Sequence, residues 1–221
     1  MTGYDKFINQ LSEIQENFPE LKQATVDGKI ILRGILCVID NKGKHWEDYE
    51  VEIHCADNFP NQFPRLYEVG GKIPRIGDWH IYEDTGSCCL KILPEEIIRC
   101  RNGITVLEYL KEEVMPYLFN QTHRRKEGYY INGEYLHGAW GLLQYYSNEL
   151  KTGNDHYATL QLIKYIATNE KPIRTSMCFC GRKQKFRHCH KTAFEKLKSI
   201  GNDSLAAHYG WIRRVTGIVC Q

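Results

Sequence analysis

The chain has 221 residues, 29 of them basic and 27 acidic, for a formal net charge of +2. At about 150 residues per domain this length predicts one full domain and a smaller part, enough to bury a core without disulfides. Hydrophobic residues at 42% and charged residues at 25% argue against global disorder. No apolar run approaches the roughly 20 residues of a membrane span, and the near-zero total charge gives no case for a nucleic-acid protein.

Met1-Thr2-Gly3-Tyr4-Asp5-Lys6 lacks a basic stretch followed by an apolar one, so no secretory signal is expected. Phe7, Leu11, Ile14 and Phe18 form one helical stripe over residues 4–18, stopped at Pro19. Asp27-Gly28 between apolar runs predicts a two-residue hairpin. The run from Ile30 to Ile39 reads as a well-buried strand. Tyr49, Val51, Ile53 and Cys55 alternate with Glu50, Glu52 and His54, as in an antiparallel strand with one wet side. A fourth strand is expected at Leu66–Val69. Periodicity then fades from Gly70 to Gly103, a long loop of the kind that often carries function. Thr105-x-x-Glu108 reads as a capping box, with Leu107, Leu110, Val114 and Leu118 at helical spacing. Further helices are expected at 138–150 and 155–168, broken by Lys151-Thr152-Gly153-Asn154. The order is α+β.

Nine cysteines, an odd count without a signal peptide, argue against a disulfide framework and for reduced, cytoplasmic thiols acting as ligands or nucleophiles. Two clusters stand out: Cys88-Cys89, and Cys178 to His190. The charge is also segregated. Residues 171–198 hold nine Lys or Arg and one acid, Glu195, for +8; the other 20 basic and 26 acidic groups leave −6. The reading is an acidic body with a basic appendage.

A cysteine in an irregular loop near a histidine is either a nucleophile or a small buried apolar group. Here the chain resembles the ubiquitin-conjugating enzymes. Phe59-Pro60-Asn61-Gln62-Phe63-Pro64 is similar to their aromatic-proline segment, and Gly86-Ser87-Cys88-Cys89-Leu90 to their active-site segment. The resemblance covers roughly residues 4–120. It implies a fold of N-terminal helix, four-stranded antiparallel meander, active-site loop and C-terminal helices. It also implies Cys89 as the thioester cysteine, with Cys88 as its neighbour. The eukaryotic His-Pro-Asn element is missing. Trp79-His80-Ile81 stands in its place, nine residues before Cys89, closer to divergent bacterial members. The resemblance implies His80 as donor to an oxyanion or acceptor of an amine proton; the alternative is a loop histidine packed beside Trp79. It further implies an enzyme that takes a ubiquitin-like modifier, or another protein C-terminus, from a separate activating enzyme. Transfer to an amine of a target protein would follow, in an antiviral defence setting. An inactive adaptor of the same fold is the rival reading.

Cys178-Phe179-Cys180, eight residues, then Cys189-His190 supplies three soft thiols and an imidazole in two close pairs, a set that closes a tetrahedral zinc site. The stretch Cys178–His190 resembles the SEC-C zinc motif, with Arg182-Lys183 replacing its usual Ser-Gly. A full shell implies one structural Zn2+ per chain. His188 is expected to be exposed, not a ligand. The surrounding basic residues suit an acidic protein, nucleic acid or ribosome, or are simply a solvated face. His137 is a candidate polar contact at a helix start. The expected organisation is a ubiquitin-conjugating-enzyme-like domain with helical extension over 1–150, and a helical linker with a small zinc-binding tail over 151–221.

Overall fold

The computed structural model describes residues 1–218; Cys220, counted among the nine cysteines, lies outside them. The chain is mixed α+β and divides into two compact units, Met1–Lys91 with Glu95–Glu134, and Ile92–Pro94 with Tyr135–Gln221. The helix over 138–150, grouped with the body in the sequence reading, falls in the second unit.

In the first unit, the stripe over residues 4–18 breaks into α1 (Gly3–Ile8) and α2 (Leu11–Asn17). Thr2 caps α1 through a capping box with Asp5, an arrangement that satisfies two free N–H groups at the helix start. Phe7, Leu11 and Ile14 from both helices enter one core.

Four strands follow as a meander: β1 (Leu21–Val26), β2 (Lys29–Ile39), β3 (His45–His54) and β4 (Arg65–Glu68). All neighbours are antiparallel, in the order β1-β2-β3-β4. Asp27 and Gly28 form the first turn, with φ of 49° and 75°, the left-handed pair a tight hairpin requires. Leu32, Leu36, Val38, Tyr49, Val51 and Ile53 fill the core face. On the other face Arg33 pairs with Glu50 and Glu52 at 3.2 and 3.5 Å. A bulge between Val38 and Ile39 shifts the β2–β3 register, so that Val38 faces Glu47 but Ile39 faces His45.

The region after β4 is not wholly irregular. It contains a 3-10 turn, Gly77–Trp79, and α3 (Leu93–Cys100). An eight-residue helix with Pro94 near its start gives too few turns for periodicity to register. Thr105 and Glu108 make the expected capping box for α4 (Val106–Glu108). A π-helical turn, Tyr109–Val114, carries the chain into α5 (Met115–Glu127). α5 packs on β2 and β3, where Thr122 Oγ1 hydrogen-bonds Tyr49 Oη at 3.0 Å.

The second unit is helical. α6 (Gly138–Leu150) and α7 (His156–Thr168) match the expected segments, and Asp155 caps α7 by accepting from the Ala158 N–H. His137 occupies the N-cap position of α6. Gly141 is required there: a Cβ would lie 1.8 Å from the Leu136 carbonyl oxygen. α8 (Lys191–Lys198) and α9 (Asn202–Thr216) complete the unit, with α9 packed on α6 and α7. Leu142, Tyr146, Leu160, Ile163, Leu205 and Ile212 are buried in this unit. Among the described residues no helix is long and apolar enough to cross a membrane.

Candidate functional site

The aromatic-proline segment prepares the floor of the first site. Phe59 packs edge-on against Phe7, with ring centres 5.8 Å apart, and Phe63 packs against Tyr109. The Pro60 carbonyl accepts the Ile104 N–H at 2.9 Å, and Asn61 Nδ2 donates to the Cys100 carbonyl at 3.1 Å. These bonds fix both ends of the chain that bears the cysteine pair.

The pair lies on a short ladder. Ile81 and Cys88 form an isolated antiparallel bridge, and Tyr82 N–H donates to the Ser87 carbonyl at 2.9 Å. Cys88 N–H donates to the Leu66 carbonyl of β4 at 2.8 Å. Extended backbone sends successive side chains to opposite sides. Cys88 points into the core and is 8% exposed, whereas Cys89 is half-buried. Burial pushes the Cys88 thiol up to about 12, so it stays protonated and inert. Burial also raises the Cys89 thiol and the nearby Glu96 carboxylate adds to this, while a hydrogen bond from Tyr82 acts in the opposite sense.

His80 meets Cys89 through the backbone. Its carbonyl accepts the Cys89 N–H at 2.7 Å and the Tyr117 hydroxyl at 3.2 Å. Its φ of 53° is left-handed, uncommon outside glycine. The imidazole Nε2 pairs with Glu134 Oε2 at 3.0 Å and the ring lies 5.2 Å from that of Tyr130. The turn just before is held from α5: Gln121 Nε2 donates to the Trp79 carbonyl at 2.9 Å, and Arg124 pairs with Asp78 and covers the Trp79 ring. Downstream, Lys91 Nζ meets Glu113 Oε2 at 2.6 Å, a carboxylate whose side chain is 5% exposed and which Arg99 also approaches.

Tyr82, Glu96 and Glu134 were not singled out from the sequence. Glu96 accepts the Phe63 N–H at 3.2 Å, and burial raises its carboxyl. Tyr82 pairs with Ser87 in the ladder, on the side to which Cys89 also points, and no sequence signal marked that pairing.

The second site gathers all four expected ligands. The sulfurs of Cys178, Cys180 and Cys189 and one His190 ring nitrogen lie within 4.8 Å of one another. Cys180 and Cys189 sulfurs are 3.6 Å apart, and His190 Nδ1 lies 3.3 Å from the Cys178 sulfur and 3.1 Å from that of Cys189. Thiolates at about 2.3 Å and imidazole at about 2.0–2.1 Å from one ion would sit about 3.5–3.8 Å apart in a tetrahedron. The donor set and spacing therefore fit a metal ion. His190 Nε2 meets the Leu150 carbonyl at 2.8 Å, which leaves Nδ1 as the lone-pair donor. Without a cation, burial and the Cys180 and Cys178 thiols raise the Cys189 thiol.

Local packing explains the gathering. Gly181 takes φ of 76° after the first pair, and Cys178 N–H donates to the Gln184 carbonyl at 2.9 Å. Phe179 stacks on Tyr165 at 4.4 Å and borders Phe186, Phe194 and His190. His188 is exposed, and its Nε2 accepts from Arg187 Nε at 2.9 Å.

No protein-family model, curated protein or solved structure matches the chain.

Proposed function

We propose that the first unit is a ubiquitin-conjugating-enzyme-like acyl carrier, and that the second is a helical unit closed around one structural Zn2+. The observation that carries the first reading is the opposite placement of adjacent cysteines, Cys88 in the core and Cys89 beside Tyr82. The sequence resemblance, the meander and the anchored loop support it. The acyl donor is a ubiquitin-like modifier, or another protein C-terminus, held as a thioester by a separate activating enzyme. The Cys89 thiolate attacks that carbonyl, a new S–C bond forms, and the activating enzyme's thiolate leaves. An amine of the target protein then attacks, a C–N bond forms, and the Cys89 thiolate leaves as the amine loses its proton. Tyr82 favours the thiolate in both steps. His80 positions Cys89 through its carbonyl, and its imidazole, aligned by Glu134, is the candidate donor to the tetrahedral oxyanion.

Zinc is the ion that three thiolates and one neutral imidazole suit, and a full shell of four gives it a structural role. Around it Arg174, Lys183, Lys185 and Arg187 are exposed, while Lys171, Lys191 and Lys196 pair with Glu195 or Glu149. The exposed set supports a second reading, in which the chain is an adaptor docking an acidic protein or nucleic acid. Salt-dependent binding lost on Lys183→Ala with Lys185→Ala and Arg187→Ala would favour it.

The test of the carrier is thioester formation with an activating enzyme and modifier encoded beside this chain. Cys89→Ala should abolish the adduct, Cys88→Ala should retain it, and Tyr82→Phe should slow it by about tenfold, the worth of one hydrogen bond. Equal loss in both cysteine variants, or an inert wild type, sinks the carrier reading.

A further inference from the structure

A second group of mixed ligands lies in the first unit, far along the chain from the cysteine pair. Cys37, His45 and Asp48 place one sulfur, one ring nitrogen and one carboxylate oxygen within 4.8 Å of one another. Cys37 and Asp48 are directly opposed in the β2–β3 ladder, so their side chains share the outer face. His45 joins them because of the bulge. In unbroken register Ile39 would face Trp46, and Trp46 would share the face of Cys37. One extra residue on β3 puts His45 opposite Ile39 instead. Trp46 is thereby turned toward the core, where it packs on Phe119 with ring centres 5.9 Å apart. The bulge thus brings a third donor of a different type to a fixed hairpin.

We propose that Cys37, His45 and Asp48 form a binding site for a borderline divalent metal ion of the zinc class, with a fourth position open to water or to a partner's side chain. Thiolate, imidazole and carboxylate are the three donor types that zinc takes, and three protein ligands are the usual number when one position stays open. His45 Nε2 lies 2.7 Å from Asp48 Oδ1, and the Cys37 thiol hydrogen-bonds the same carboxylate. All three side chains therefore already converge on one point. Ligands at 2.0–2.3 Å from an ion would be about 3.3–3.8 Å apart, a spacing that torsional adjustment of surface side chains reaches. Glu20 adds negative potential near Cys37. Lys72, whose charge acts on Asp48, is held by Glu47 at 2.5 Å and by the Asp48 carbonyl at 2.7 Å.

The site is independent of the cysteine-histidine quartet, and so is its test. The full chain, freed of metal, is dialysed against buffered micromolar Zn2+, and bound metal is counted for wild type, Cys37→Ala and His45→Ala. Both variants should bind one equivalent fewer than wild type, whatever the quartet takes up. Co2+ in place of Zn2+ should give a sulfur-to-metal absorption band that weakens in Cys37→Ala. Circular dichroism confirms that these surface variants fold. Equal stoichiometry in wild type and both variants overturns the proposal. Loss of one equivalent in Cys180→Ser alone, with no change in the Cys37 and His45 variants, supports the quartet and rejects this site.

Discussion

The loop that bears Cys88-Cys89 and the turn that bears the Cys178–His190 quartet hold their sulfurs in different ways. The loop is tied by the protein itself. Leu66 and His80 carbonyls take the two cysteine N–H groups, and Gln121, Arg124 and Tyr117 of α5 reach the 78–80 turn. The turn brings three thiols and an imidazole together, an arrangement that like-charged thiolates would oppose unless a cation joins them. One region is preorganised by hydrogen bonds; in the other, four donors cluster at a spacing that fits a metal ion.

Chelation tests the contrast most severely. Chelating the ion proposed for the quartet should open residues near 175–195, with release of one ion from that site beside any held by Cys37, His45 and Asp48, and loss of a binding energy of about 10 kcal/mol or more. Hydrogen exchange should rise there and leave residues 78–90 protected. Equal loosening of both regions would erase the distinction. Acid gives the next effect, again in the second unit. His208 is buried, hydrogen-bonds Tyr146 at 2.7 Å, and burial lowers its pKa to about 4 from an ordinary 6.5. The unfolded chain binds that proton more readily. Its contribution is full above pH 6.5 and is lost as the pH falls toward 4, at up to about 1.4 kcal/mol per pH unit. Urea titrations should show this slope in wild type and a flatter one in His208→Asn.

Inside the first unit, Gln121→Ala should cost about 2 kcal/mol, because it strands the Trp79 carbonyl. The same change should raise exchange at Trp79 and His80. An unaltered loop would show that the anchors from α5 are dispensable. The smallest effect is a gain. The Tyr109 hydroxyl is buried without a hydrogen-bond partner among the described residues. Tyr109→Phe should stabilise the fold by about 1 kcal/mol, read as a shift of the unfolding midpoint.

Local signals in the sequence carried much of this. The Asp27-Gly28 turn, the Thr105–Glu108 capping box, the alternation through β3 and the spacing of the quartet depend on residues close in the chain, and all four have their counterparts. Tertiary neighbours were not legible. Glu96 and Glu134 come near the cysteine loop through packing, and nothing in their flanking residues marks them. The two units divide at 134/135, whereas the clear chain break in the sequence is Lys151-Thr152-Gly153. A break shows where a helix ends, but not which neighbours it packs against; α6 packs on α7 and α9.

The long helix beginning at Val106 has a further consequence. Val106, Leu110, Val114, Leu118 and Thr122 are buried, and so are Tyr109, Glu113, Tyr117 and Gln121. Both rows repeat every fourth residue. An α-helix turns about 100° per residue, so a strict repeat of four drifts about 40° each time. The wider turn at Tyr109–Val114 absorbs much of that drift. The helix is thus kept in phase with two partners at once. Its first part presents Glu113 to Lys91, and its last presents Gln121 to Trp79 and Thr122 to Tyr49. Running the same residues through 109–114 as an ordinary α-helix, with none deleted, would swing its second half by about 100°. Both anchors would be lost without touching either.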